Sequence, residues 1–268
     1  MKYMKVKKKE KKMTNYNEIL ENLEILELNK IRNILPTYLD GVASSPPHLI
    51  DSLKYLLKEE IKERKRMSAQ GVIKTAAFPF VKTLEEYDYD FQPTIDKNYI
   101  KDLSTLRFIE NNENILFIGS PGVGKTHLAV ALGVEAAKKS YSVYFINCHK
   151  LIMKLSKAHK ENRLENVLNN MKRHKVLIID EIGYLPLDKN GTNLFFQLIA
   201  SRYMTRTTII TSNMHFNRWG EVFNDDTISA AILDRLLHHS HVVNIKGPSY
   251  RLKDKIESAK KVNNNEIN

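Results

Sequence analysis

An octapeptide near the middle of the chain, Gly119-Ser120-Pro121-Gly122-Val123-Gly124-Lys125-Thr126, narrows the fold more than any other feature. It follows an apolar, β-forming run over 114–118 and opens a helical pattern, so it belongs at a strand-to-helix turn. Glycines let such a turn wrap closely around a polyphosphate, with backbone N–H groups and the next helix's N-terminus aimed at it. In the pattern G-x-x-x-x-G-K-[ST] the lysine reaches the β- and γ-phosphates and the hydroxyl ligates Mg²⁺. Gly119, Ser120, Pro121, Gly122, Val123, Gly124, Lys125, Thr126 and His127 are therefore expected to hold a nucleotide, ATP, with Mg²⁺ on Thr126.

Four more β-rich runs, over 143–147, 176–180, 207–212 and 241–245, alternate with helical segments. That alternation predicts an α/β fold with a parallel five-stranded sheet buried on both faces. The run Val176-Leu177-Ile178-Ile179-Asp180-Glu181 ends in two acids at the carboxyl edge of its strand, where open α/β sheets bind ligands. Asp180 is expected to join the Mg²⁺ sphere and Glu181 to orient the attacking water. Asn213, at the end of the fourth run, is either a strand-capping turn residue or an amide that senses the γ-phosphate or holds that water. Arg235, on an amphipathic helix, is either a surface charge or an arginine offered to a neighbour's phosphates.

Ahead of this region, 14–77 reads as a small helical domain. Apolar residues from Tyr16 to Leu35 have helical spacing, with Pro36 the expected stop. Ser45 and Pro46 are expected to cap a long helix carrying Leu49, Leu53, Leu56, Leu57 and Ile61 on one face. Residues 78–112 read as an extended connector, and 113–268 as the ATPase domain.

The chain has 268 residues, with 42 Lys and Arg against 31 Asp and Glu, and the net charge of +11 favours nucleic acid as a partner. Seven lysines and one acid in residues 1–12 form a basic arm, expected over 1–13 to be disordered. A second basic stretch lies at 148–175, where Lys150, Lys154 and Lys157 share one helix face and form the candidate contact to duplex DNA. No run is apolar enough to span a membrane, and one cysteine, Cys148, forms no internal disulfide, so a cytoplasmic setting is expected. Cys148 and the aromatic trio Phe216, Trp219 and Phe223 read as packing residues, and His238, His239 and His241 as the end of a helix rather than a metal site.

At this density of motifs the chain resembles a known family. The segments 82–89, 119–129, 177–186, 208–213, 219–223, 233–237 and 249–251 are similar, in order, to IstB-type AAA+ ATPases. These are helper subunits encoded beside a transposase in certain insertion sequences, related to the DnaC/DnaI helicase loaders. The resemblance implies a P-loop AAA+ fold, with Asn213 as sensor I, Arg235 as an arginine finger acting across subunits and Arg251 as the sensor II arginine. It also implies a homo-oligomer with ATP at subunit interfaces. Only 20 residues follow Pro248, so a full helical lid is not expected. The function implied is an ATP-hydrolysing, DNA-binding helper of transposition. A replicative helicase loader is the alternative, and a metabolic P-loop kinase fits the acid pair and basic helix less well.

Overall fold

A computed structural model describes residues 15–253. The lysine arm, 1–13, lies outside the described residues. The chain divides into two compact units, Met1–Ser68 and Ala69–Asn268.

The first unit holds helix α1 (15–25), α2 (Asn29–Gly41) and most of α3 (Leu49–Thr75). The apolar spacing that runs through to Leu35 conceals a break, because Glu27 adopts a left-handed φ of 55° and turns the chain. Pro36 does not stop α2, which continues to Gly41. Packing of Ile31 and Leu35 with Leu56 outweighs the one helical hydrogen bond that an exposed proline forgoes. Ser45 and Pro46 precede α3 without capping it; His48 Nδ1 accepts from the Ile50 amide at 3.3 Å instead. Of the apolar face expected on α3, Leu56 alone is buried, and Leu49, Leu53, Leu57 and Ile61 are exposed. A neighbouring pair of helices covers only a narrow seam. Buried Glu60 closes that seam: its carboxylate accepts from the amides of Lys30 (2.9 Å) and Ile31 (3.1 Å) at the start of α2, and from Arg64 Nε (2.9 Å). Burial works to raise this carboxyl, but these partners outweigh it and hold it below its ordinary value.

In the second unit five parallel strands, β1 (Asn114–Gly119), β2 (Val143–Asn147), β3 (Val176–Ile182), β4 (Thr207–Ser212) and β5 (Ser240–Ile245), pair in the order β2-β3-β4-β1-β5. Helices α6 (Lys125–Lys138), α7 (Cys148–Lys160), α8 (Leu164–Arg173), α9 (Lys189–Arg202), α10 (Trp219–Phe223) and α11 (Asp226–Leu237) flank the sheet. All six residues of β1 and of β4 are buried, as a two-sided parallel sheet requires. Separate apolar layers cover its faces, one gathered on α6 and the other on α7, α9 and α10. Residues 78–112 are more than a connector. They form α4 (Lys97–Leu103) and α5 (Arg107–Glu110), and they bury Ile100, Leu103, Phe108 and Ile109 in the α6 layer. Trp219, Phe223 and Cys148 are core residues, and burial pushes the Cys148 thiol up to about 12.

Arg202, 1% exposed, joins α9 to the end of α8 and the start of β4 without a carboxylate among its hydrogen-bond partners. It donates to the carbonyls of Met171 (2.7 Å), His174 (3.1 Å) and Thr207 (2.6 Å) and to Thr208 Oγ1 (3.1 Å). Burial pushes its guanidinium down to about 9. Arg202→Met would strand these acceptors, and we expect a loss of about 3 kcal/mol in urea unfolding. A loss under about 1 kcal/mol would show that the clasp contributes little.

Candidate nucleotide site

The loop 119–126 leaves the carboxyl end of β1 and enters α6 directly, with Gly124 as its N-cap at φ 95°. Two glycines are required here by contact as well as by backbone conformation. A Cβ on Gly124 would lie 2.5 Å from Tyr87 Cε2, and one on Gly122 would strike Ser249. The loop is thus enclosed by two segments distant in sequence. Tyr87 donates its hydroxyl to the Val123 carbonyl at 2.8 Å, and the Tyr250 amide donates to the Gly122 carbonyl at 2.8 Å. His127 stands edge-on to Tyr87, with Nε2 2.8 Å from the Thr83 carbonyl. Lys125 Nζ donates to the carbonyls of Gly119 and Ser120, both at 2.7 Å, so its ammonium lies over the loop. Burial lowers its pKa, partly opposed by Asp180.

Asp180 is the centre of the acidic end. Its Oδ1 accepts from Thr126 Oγ1 at 2.8 Å and from Thr211 Oγ1 at 2.6 Å. Desolvation pushes its carboxyl up, and the two hydroxyls oppose the shift. At the next residue the strand breaks register: β3 pairs with β4 through Ile179, then resumes at Ile182. Glu181 takes a left-handed φ of 62° in that bulge, its amide donates to Thr211 Oγ1 at 2.9 Å, and it stays exposed while both neighbours are buried. The bulge is what turns the second acid out of the sheet's buried alternation and onto the cavity.

A cavity of about 650 Å³ lies over this edge. Pro121 to His127, Asp180, Glu181, Asn213 and Arg251 line it, and so does Lys150; Gly119 and Ser120 do not, and meet it only through their carbonyls' bonds to Lys125. Pro79, Phe80, Tyr87 and Tyr250 supply an apolar wall from segments distant in sequence from the acid pair. Arg235 is not on this cavity: its guanidinium lies 4.8 Å from the Phe196 ring centroid and donates to the Ala231 carbonyl at 2.8 Å. Lys154 and Lys157 are exposed on α7 away from the cavity, with the Lys154 ammonium 5.3 Å from the Tyr144 ring centroid. His241 lies in β5 between Tyr99 and Glu113, and no cluster of His, Cys, Asp or Glu suited to a metal occurs among the described residues. An oxygen site of one hydroxyl and one carboxylate fits Mg²⁺, which takes few protein ligands and completes its octahedron with phosphate and water.

Asn147 was not singled out by any motif. Its Oδ1 caps α7 by accepting from the His149 amide at 3.0 Å, and its Nδ2 donates to Glu181 Oε2 at 2.7 Å. The only signal in the sequence is an Asn just ahead of a helical pattern. Because that bond holds Glu181 to the end of α7, Asn147→Ala is expected to change the steady-state hydrolysis rate about tenfold while leaving nucleotide affinity within about twofold. An unchanged rate would mean that the bond does not position Glu181.

The profile of the family described as IstB-like ATP binding protein matches residues 21–258. A protein from Bacillus thuringiensis subsp. berliner, named for ATP binding and insertion sequence IS232, is 47% identical over 90% of this chain and 96% of its own length. One from Pseudomonas aeruginosa, named for ATP binding and IS21, is 44% identical over 87% of this chain and 88% of its own. In fold, the chain is similar to AMPPCP-bound DnaA from Aquifex aeolicus, with a TM-score of 0.55 and 21% identity over 69% of this chain and 56% of that one. It is also similar to DnaI, with a TM-score of 0.52 and 19% identity over 66% of this chain and 93% of that one.

Proposed function

Since the chain belongs to the IstB-like ATP binding family and has the AAA+ fold, we propose that it hydrolyses ATP with Mg²⁺ and assembles on duplex DNA as a helper of a transposase. The observation that carries the chemical part is the Thr126–Asp180–Thr211 chain of hydrogen bonds beside an outward-turned Glu181. The loop amides and Lys125 bind and orient the polyphosphate. Thr126 and Asp180 would hold Mg²⁺, which would supply positive charge to offset that of the polyphosphate. Glu181 orients a water in line with the γ-phosphorus and takes up its proton, while Asn213 fixes the same water or an oxygen of the phosphate. Arg251 adds positive charge at the cavity wall.

Arg235, placed off its own cavity, suits a role at the phosphates of a neighbouring subunit. Assembly would then be tied to nucleotide, and the cell compartment that fits is the cytoplasm. Among the described residues no helix is long and apolar enough to cross a membrane. The named relatives at 44–48% identity belong to insertion sequences, which supports a transposase as the partner; a helicase-loading role has only likeness of fold behind it.

The DNA reading places phosphate contacts on Lys150, Lys154 and Lys157. α7 starts from its N-cap Asn147, lines the cavity with Lys150 and exposes Lys154 and Lys157 beyond it, so a contact on its face is joined mechanically to Glu181. Lys154→Gln with Lys157→Gln spares the cavity, and we expect the double variant to bind duplex DNA at least tenfold more weakly. The slope of log affinity against log salt should fall by about two. Affinity and slope both unchanged would remove this face from the interface.

A further inference from the structure

We propose that the outward face of α3 is a docking surface for an acidic amphipathic helix of a partner protein. Ile50, Leu53, Leu57 and Ile61 follow one another at helical spacing and are 61%, 46%, 48% and 53% exposed. They form a continuous apolar stripe in a segment whose buried seam is already filled by Leu56 and Glu60. Single exposed leucines are ordinary, but a stripe at helical spacing rimmed by charge is the pattern by which helices recognise helices.

The rim selects the partner. Lys54, Lys58 and Lys62 each follow a stripe residue by one position, and Lys65 continues their line, so a row of ammonium groups runs alongside the stripe. All four are exposed, and none is paired with a carboxylate among the described residues, whereas Arg64 and Arg66 are held by Glu60 and Glu63. Asp51, one turn before Lys54, is the one acid in that line. A helix with its own apolar stripe flanked by Glu or Asp complements both features at once. The chain's own termini do not: residues 1–12 are lysine-rich, and residues 254–268 hold three acids against three lysines. A second copy brings the same lysine row. Duplex DNA would answer the lysines and leave the leucines in water.

None of these residues lines the nucleotide cavity, so the inference stands or falls separately from ATP hydrolysis. The test measures fluorescence anisotropy of the full chain with three labelled, hydrocarbon-stapled 18-residue helices that share a leucine stripe and differ in flank: Glu, Gln or Lys. The Glu-flanked helix should bind at least tenfold tighter than the Lys-flanked one. Leu53→Ser with Leu57→Ser, and separately Lys54→Glu with Lys58→Glu, should each weaken it at least tenfold. Both variants should keep native helix content by circular dichroism and a native ATPase rate. Equal binding of the three helices, or indifference to both double variants, would overturn the proposal. So would loss of self-association, of duplex DNA binding or of binding to phosphatidylserine vesicles by Leu53→Ser/Leu57→Ser while peptide binding stays intact.

Discussion

Lys125→Ala is expected to abolish measurable ATP hydrolysis, a fall of at least about 100-fold, and to weaken ATP binding in the same variant. The ammonium rests on the carbonyls of Gly119 and Ser120, so it is held in place before any phosphate arrives. Its donors are therefore positioned with little reorganisation, and burial makes its charge felt strongly in the cavity. Alanine removes that charge, and no other lysine lies in the loop. The fold should survive, since Lys125 is at the first turn of α6 and its side chain fills no core position. Hydrolysis and unfolding measured together separate the two effects; near-native hydrolysis would refute the assignment of this cavity.

Glu181→Gln should behave differently, retaining ATP while losing hydrolysis by roughly 100- to 10,000-fold. Glutamine preserves the shape of the side chain and can keep a hydrogen bond to Asn147, but it cannot accept the water's proton. Asp180, Thr126 and Thr211 are untouched, so the binding end remains intact. The variant is expected to accumulate in an ATP-bound assembled form that native protein reaches only transiently. Equal loss of binding and turnover would instead place Glu181 with the ligands that hold the nucleotide.

These expectations draw on parts of the molecule that differ in how openly the sequence displays them. The five strands sit within two residues of the β-rich runs that announce them. The central β1, β3 and β4 are almost wholly buried, while the edge strands β2 and β5 are partly exposed and are announced by their β-branched and aromatic residues. The loop and the Asp180–Glu181 pair were equally plain, since their chemistry fixes both residue type and spacing. The apolar face of α3 misled: leucines at helical spacing report amphipathicity, while burial depends on how many neighbours a three-helix unit can supply. The turn at Glu27 was invisible because the apolar spacing runs through it. Tyr87 and Asn147 were missed for another reason. Tyr87 acts by packing on a glycine and bonding to a loop carbonyl, and Asn147 acts on a residue 34 positions away. The Asn147 contact exists only once the sheet has brought β2 beside β3, and the Tyr87 contact only once the segment before α4 has folded back over the loop.

The claim that one subunit's site is finished by its neighbour is tested most directly by ATP turnover per chain as a function of protein concentration, with and without duplex DNA, for native protein and Arg235→Ala. Turnover per chain should rise with concentration and again with DNA. The Arg235→Ala protein should still bind ATP but stay at least about 1,000-fold slower at every concentration. Turnover per chain that is constant across concentration and unaffected by Arg235→Ala would contradict the account.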